Sequence, residues 1–487
     1  MGTLIRLLNN INTFFLLYLF AYTTYLFISV VTGAYKLYRY DRMRRNKNII
    51  HQDYYRPISI LVPAHNEEVT IVDSITSLLH LNYKLYEIIV IDDGSTDKTA
   101  ERVIRQFGLQ PVTREIGDTL KTQPLIEAYE AQIGQIRLTL LRKENGGKGD
   151  ALNMGINASA YPYFLCIDAD SMLQKDSLEY IIRPMLEDED TVAVGGLVRI
   201  AQCVVIRQSQ VMGYRIPWNP LIGMQVMEYD RSFLASRILM DMFNGNLIIS
   251  GAFGLFKKDI AVAAGGYDPA TIGEDMELVM RMHVFCRNMK RPYAIRFEPN
   301  AICWSQAPAS LRDLRSQRRR WHLGLFQSLY KHRGVFLSPR FGAVGFVSYL
   351  YYLIYELLSP FIEVGGWITV LLSALVGILN ARFMIGFFLL YAIYGAVLSV
   401  TAFFQRIYTQ NLYIEPRDVV KAILMCVVEN VFFRFVLDFV RATAFIGYRK
   451  RKRQWGKISR AELNASPRVR KMQPAAQIEI EDGIRTA

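Results

Sequence analysis

Cysteine is scarce in this 487-residue sequence, with five in all. Cys166, Cys203, Cys286, Cys303 and Cys426 stand far apart, and none has the short spacing of a metal-binding motif. That leaves reduced thiols, on the cytoplasmic side or within a bilayer, as the reading. No internal repeat or low-complexity tract is evident, which excludes a repeat architecture. A nucleic-acid-binding signature is missing too. The formal charge of +13 and pI of about 9.4 therefore need another explanation. Much of the basic excess flanks hydrophobic stretches, where anionic lipid headgroups account for it.

Hydrophobic residues make up 51% of the chain, enough for more than one domain, and they are unevenly spread. Residues 13–31 are nearly uncharged and long enough to span a bilayer. Lys36, Arg39, Arg42, Arg44, Arg45 and Lys47 follow, placing that end in the cytoplasm. A signal peptide carries its basic residues before the apolar run, so residues 1–40 read as an anchor. Residues 341–447 are membrane-like again, with spans expected at 342–358, 361–379, 383–404 and 419–446. Ser359 and Pro360 are expected to break the first pair. The basic run 449–453 puts the tail, residues 448–487, in the cytoplasm, which agrees with an even number of spans after the soluble part. The last span holds Glu429, Arg434, Asp438 and Arg441. Intramembrane charge faces a partner or a watery cavity, and Arg434 and Asp438, four apart, are predicted to neutralise each other. A polymer channel and paired structural charges both fit.

Between the spans, residues 57–310 alternate short apolar strands with helices, which predicts parallel β-α-β units. Strand 58–62 leads into P-A-H-N-E-E and a helix to about residue 79. Strand 87–91 runs into D-D-G-S-T-D at 92–97, where Ser95 or Thr96 is placed to cap helix 99–107. Asp92 and Asp93 sit where a nucleotide is expected in such a sheet. The N-G-G-K-G-D-A-L-N stretch at 145–153 lacks the Walker spacing, but its glycines permit close backbone approach and Lys148 offers a point charge to a diphosphate. Strand 163–167 ends in Asp168 and Asp170. An extended backbone would put both carboxylates on one face, hard oxygen ligands suited to Mg²⁺ or Mn²⁺. After strand 192–198, residues 206–243 mix apolar residues with arginines and read as an amphipathic insert, a membrane-surface segment or part of an acceptor channel. Asp275 opens helix 276–284, where the helix dipole favours a carboxylate. Residues 311–340 are read as an interfacial segment built on helix 311–330, with an apolar stripe of Leu314, Trp321, Leu325 and Leu329 and arginines on the other side. Taken singly, each motif also reads as a turn, a helix cap or a surface loop.

Their order is the specific signal: D-D-G-S-T-D, G-G-K-G-D-A-L-N, D-A-D, G-E-D, Q-R-R-R-W, then membrane spans. Over about residues 10–450 the chain resembles the membrane-integrated family 2 glycosyltransferases, which include the cellulose, chitin, hyaluronan and poly-N-acetylglucosamine synthases. The resemblance implies a Rossmann-like α/β catalytic domain of GT-A type, with about five membrane spans, in the cell (inner) membrane with the catalytic domain cytoplasmic. By the same likeness, Glu67, Asp93, Lys148, Asp168 and Arg320 would bind a UDP-sugar, and Asp170 would hold Mg²⁺ or Mn²⁺ on the diphosphate. Asp275 would be the catalytic base, while Gln317 and Trp321 would position the acceptor. The implied activity is inverting transfer of glucose or N-acetylglucosamine to a growing β-linked polysaccharide, with extrusion. Single addition to a diacylglycerol or polyprenyl-phosphate lipid is the rival, and an inactive nucleotide-sugar-binding subunit a third reading. Two departures stand out: G-E-D replaces the T-E-D of many polymer synthases, and S-G-A-F-G at 250–254 lacks the cysteine of the cellulose synthase acceptor motif. With no cyclic-dinucleotide-binding domain apparent in the tail either, a cellulose synthase is not the expectation.

Overall fold

A computed structural model of the chain describes residues 2–46, 55–207, 209–409 and 414–447. The expected cytoplasmic tail at 448–487 lies outside these residues.

The soluble half is built on a mixed ten-stranded sheet. Its heart is parallel: Ile136–Lys143, Tyr86–Asp93, Ile58–Ala64 and Tyr163–Ile167 lie side by side in that order. Phe253–Lys257 pairs antiparallel to Tyr163–Ile167 and to Thr191–Ile200, beyond which Ala294–Ser305 runs parallel. The strands are apolar almost throughout because both faces are covered. Ile60, Val62, Val90 and Leu165 point into one core, and Leu61, Ile89, Phe164 and Cys166 into the other. The chain leaves Ile58–Ala64 to one side for Tyr86–Asp93 and returns on the other with Tyr163–Ile167. The carboxyl ends of all three strands therefore open on one crevice. This is the GT-A arrangement. All five cysteines are buried free thiols.

Three described helices are long and apolar enough to cross a bilayer: Ile5–Arg39, Val344–Leu375 and Met384–Ile407. They mark a membrane protein. The pair of spans expected at 342–358 and 361–379 is one continuous helix. Pro360 does not break it because a π segment, Tyr352–Leu358, comes immediately before. The wider i→i+5 bonding there accommodates the proline's missing N–H and its ring. A further helical run, Pro416–Val428 through Arg434–Ala442, carries the charges foreseen for the last span. The five expected spans thus become three apolar helices and one charged helical run among the described residues.

The insert at 206–243 is more varied than an amphipathic helix. It closes a hairpin of Val204–Arg207 with Gln210–Tyr214, then forms Pro220–Arg231, a π segment Ser232–Ser236 and Arg237–Asp241. The Pro220–Arg231 helix starts on an Asn219 cap with Pro at its first turn. It packs against the membrane helices Ala381–Thr409 and Pro416–Val428.

Candidate functional site

A cleft of about 950 Å³ opens at the carboxyl edge of the sheet and runs on between the membrane helices. Its end at the sheet is built from the loops after the parallel strands. His65 and Glu67 line it, with the backbone at 145–149 opposite. Glu67 is buried, and its carboxylate accepts the Thr70 hydroxyl at 2.9 Å.

Asp93 occupies a different place from the one its motif foretells. Its carboxylate takes Lys143 Nζ at 2.7 Å and the N–H groups of Gly146 and Gly147 at 2.9 and 2.8 Å. It is buried and stands behind the cleft rather than on its wall. Lys143 in turn lies 2.6 Å from Asp150. The cluster pins the glycine loop into the cleft, and Gly147 can follow it because its φ of 90° suits glycine. Gly146 is required for space, since a Cβ there would meet the Asp150 carboxylate at 2.5 Å. Asp92 is also buried, which raises its pKa; its carboxylate accepts Ser95 N–H at 3.1 Å. The helix that follows takes its cap contact from Asp97, not from Ser95 or Thr96: Asp97 Oδ1 accepts Thr99 N–H at 3.0 Å.

Strand Tyr163–Ile167 ends before the two carboxylates, and Ser171 N–H closes a turn on Asp168 O at 3.0 Å. The extended geometry expected across 168–170 is therefore absent. Both carboxylates still line the cleft. Asp170 is buried beside the Ser171 hydroxyl, which donates to it at 3.3 Å, while Asp168 is half-buried and lies 2.6 Å from Lys148 Nζ. Among the described residues no cluster of three or more His, Cys, Asp or Glu side chains could hold a metal alone. One or two carboxylates beside room for phosphate oxygens and water is the donor set Mg²⁺ and Mn²⁺ accept, so the residues fit such an ion.

Asp275 faces the same space. Gly251 N–H donates to its Oδ2 at 3.0 Å, so the S-G-A-F-G segment orients this carboxylate. Its neighbour Glu274, part of G-E-D but given no role of its own in the sequence, is driven by burial to a pKa of about 7; Lys148 opposes the rise, and Asp275 and Asp168 add to it. An acidic residue at a helix start looks like an ordinary capping group in sequence, and only its burial in the cleft distinguishes it.

Helix Leu311–Lys331 brings Gln317, Arg320 and Trp321 to the cleft together. The expected division of this helix into an apolar stripe and an outer arginine face holds only in part. Arg318 is buried, gripping Glu228 with two hydrogen bonds of 2.6 Å each, and its guanidinium lies 4.6 Å from the centre of the Trp321 ring. That pair fixes the tryptophan from behind. No sequence signal links positions 228 and 318, which belong to separate helices.

Toward the membrane the cleft is lined by charge held in pairs. Arg231 binds Glu429 through two bonds of 2.7 and 2.8 Å. Arg434 turns to Glu363 on another helix, at 3.0 Å from Nε, rather than to Asp438 on its own. A carboxylate across a helix interface can meet the guanidinium side-on, taking Nε and one Nη together, which a neighbour one turn away does less well. Tyr22, Tyr351 and Tyr355 complete this wall.

Residues 163–403 match the profile for Glycosyl transferase family group 2, and residues 59–112 that for Glycosyl transferase family 2. The poly-beta-1,6-N-acetyl-D-glucosamine synthase of Staphylococcus aureus strain COL is 30% identical over 312 residues, which is 63% of this chain and 64% of the relative. That of Staphylococcus epidermidis is 30% identical over 267 residues, covering 55% and 54%. The chain thus spans less than two thirds of the length of these curated relatives. A solved mannosyltransferase, PcManGT from Pyrobaculum calidifontis in complex with GDP-Man and Mn²⁺, superposes with a TM-score of 0.49 at 18% identity, covering 85% of this chain and 99% of that one.

Proposed function

We propose that this chain, which matches family 2 glycosyltransferase profiles over residues 59–112 and 163–403, is an inverting transferase moving N-acetylglucosamine or glucose from a UDP-sugar to a growing β-linked polysaccharide. The observation that carries this reading is one cleft, running from the sheet edge past Asp168, Asp275 and Trp321 into the membrane helices. A polymer made at the upper end has a polar path out, so we read the protein as a multi-pass enzyme of the cell membrane, extruding its product. The names of the staphylococcal relatives favour N-acetylglucosamine.

In this proposal the acceptor hydroxyl oxygen attacks the anomeric carbon while its proton passes to the Asp275 carboxylate. The bond from that carbon to the diphosphate oxygen breaks, UDP leaves, and the configuration inverts. Asp275 suits the base role because the Gly251 N–H holds it in place. Glu67 and the loop pinned by Asp93 shape the nucleotide end. Arg320 and Lys148 supply positive charge toward the diphosphate. Gln317 and Trp321 seat the acceptor sugar, the tryptophan braced by Arg318. Asp170, beside Asp168, would hold Mg²⁺ or Mn²⁺, which when bound neutralises the leaving diphosphate.

The test is incubation of the detergent-purified protein and Mn²⁺ with radiolabelled UDP-N-acetylglucosamine or UDP-glucose. A high-molecular-weight product cleaved by a linkage-specific glycosidase is the expected result. Label confined to the organic phase, one sugar per lipid, would replace polymerisation with glycolipid synthesis. No transfer from either donor would refute the proposal.

A further inference from the structure

Lys148 makes more contacts than a diphosphate ligand needs. It stands in the first turn of helix Lys148–Ala158, directly after the glycines that Asp93 fixes. Its ammonium reaches across the cleft to Asp168 Oδ1 at 2.6 Å and Glu274 Oε1 at 3.5 Å. It also donates to the carbonyl of Gly251 at 3.4 Å. The other side of that glycine, its N–H, is bonded to Asp275. One tethered cation thus joins the D-A-D turn at 168–170, the S-G-A-F-G segment at 250–254 and the G-E-D turn at 273–275. Gly251 leaves room for it, since a Cβ there would lie 2.9 Å from the ammonium.

We propose that Asp168 serves the divalent metal as a second carboxylate beside Asp170, and that Lys148 is an internal counter-cation competing with the metal for Asp168, so that the metal binds well only once a nucleotide diphosphate draws the lysine away. This rests on reading the cleft as a metal-dependent nucleotide-sugar site. A carboxylate oxygen engaged by an ammonium at hydrogen-bond distance is a poor ligand for a second cation, and the two positive charges repel at short range. A diphosphate offers the lysine an anionic partner and brings oxygen ligands for the metal in the same event. Metal and donor then enter together, and the free enzyme is protected from holding a metal with no donor to act on.

The experiment is Mn²⁺ binding to the detergent-solubilised full chain, followed by electron paramagnetic resonance, with and without UDP. Wild type would be compared with K148M, K148Q and K148R, each checked for a monodisperse, folded elution profile. Without UDP, the two uncharged variants should bind Mn²⁺ about tenfold more tightly than wild type, because a nearby positive charge has been removed. K148R should stay close to wild type. Adding UDP should tighten Mn²⁺ binding strongly in wild type and weakly in K148M and K148Q. Equal or weaker Mn²⁺ binding by both uncharged variants without UDP would overturn the competition while leaving the transferase reading intact. Failure of wild type to bind Mn²⁺ even with UDP would overturn the metal-dependent reading and the competition with it.

Discussion

Gly273 and Gly324 pack backbone to backbone. A Cβ on Gly324 would stand 2.7 Å from the Gly273 Cα, and one on Gly273 would stand 2.9 Å from the Gly324 Cα. Gly273 immediately precedes Glu274 and Asp275, and Gly324 lies three residues beyond Trp321 on the interfacial helix. Gln327 and Ser328 secure the joint, accepting Ile272 N–H at 2.9 Å and donating to Gly273 O at 3.4 Å. The turn that carries Asp275 and the helix that carries Trp321 are therefore docked with no side chain between them. A threonine at position 273 would push the helix away.

From that contact, G324A and G273T should each fold yet displace Asp275 relative to Trp321. A misplacement of about 1 Å is enough to reduce transfer on the order of a hundredfold. Initial rates at saturating donor, alongside a thermal unfolding curve, check this. An unchanged rate in both variants would show that the joint is only packing.

Asp275→Asn removes the proposed proton acceptor but keeps the Gly251 contact, since an amide oxygen also accepts. Transfer should fall roughly a thousandfold, within the usual range for loss of a general base. UDP affinity should remain within about twofold because the nucleotide end of the cleft is untouched. A parallel loss of UDP binding would point to a structural effect instead.

Asp93→Asn should behave in the opposite way. Removing the charge leaves buried Lys143 with only Asp150 as an anionic partner and loosens Gly146 and Gly147. Breaking a buried pair from one side is costly, about 3 kcal/mol or more. The prediction is a weaker UDP affinity measured by calorimetry, together with a lower unfolding temperature. Wild-type UDP affinity would mean that the loop is held without Asp93.

Glu277 pairs with Arg281 on its own helix and ties helix Glu274–Asn288 to the end of helix Leu311–Lys331 through Lys331 at 2.7 Å and His332 at 3.1 Å. Despite burial, these partners lower its pKa from 4.5 to about 2. A carboxyl depressed by folding stabilises the protein fully above its unfolded pKa, and that stabilisation is lost as pH falls through the folded value. The shift corresponds to about 3 kcal/mol at neutral pH. E277Q should thus lower the unfolding temperature at pH 7. The gap to wild type should narrow once pH drops below 4.5, the ordinary value of a glutamate. A gap that stays constant down to pH 3 would assign the effect to packing rather than charge.

Local pattern by itself determined much of this protein. Short, doubly buried strands are apolar along their whole length, so the runs at 58–62, 87–91 and 163–167 are visible without a structure. Helix Thr99–Phe107 was legible from the polar turn before it, and the structure adds its end at Gly108, in the left-handed conformation glycine favours. The apolar spans follow from length and composition. Five motifs in one order are likewise a property of the chain as written. What tertiary structure alone decided were the partners. Asp93 meets Lys143, fifty residues on, and Arg318 meets Glu228, ninety residues back. Arg434 passes over its own helix neighbour for Glu363, and the chain stays helical through Pro360 because of the π segment before it. Period and composition are set by each residue's immediate neighbours, whereas a buried charge is satisfied by whichever opposite charge the fold brings within about 3 Å of it.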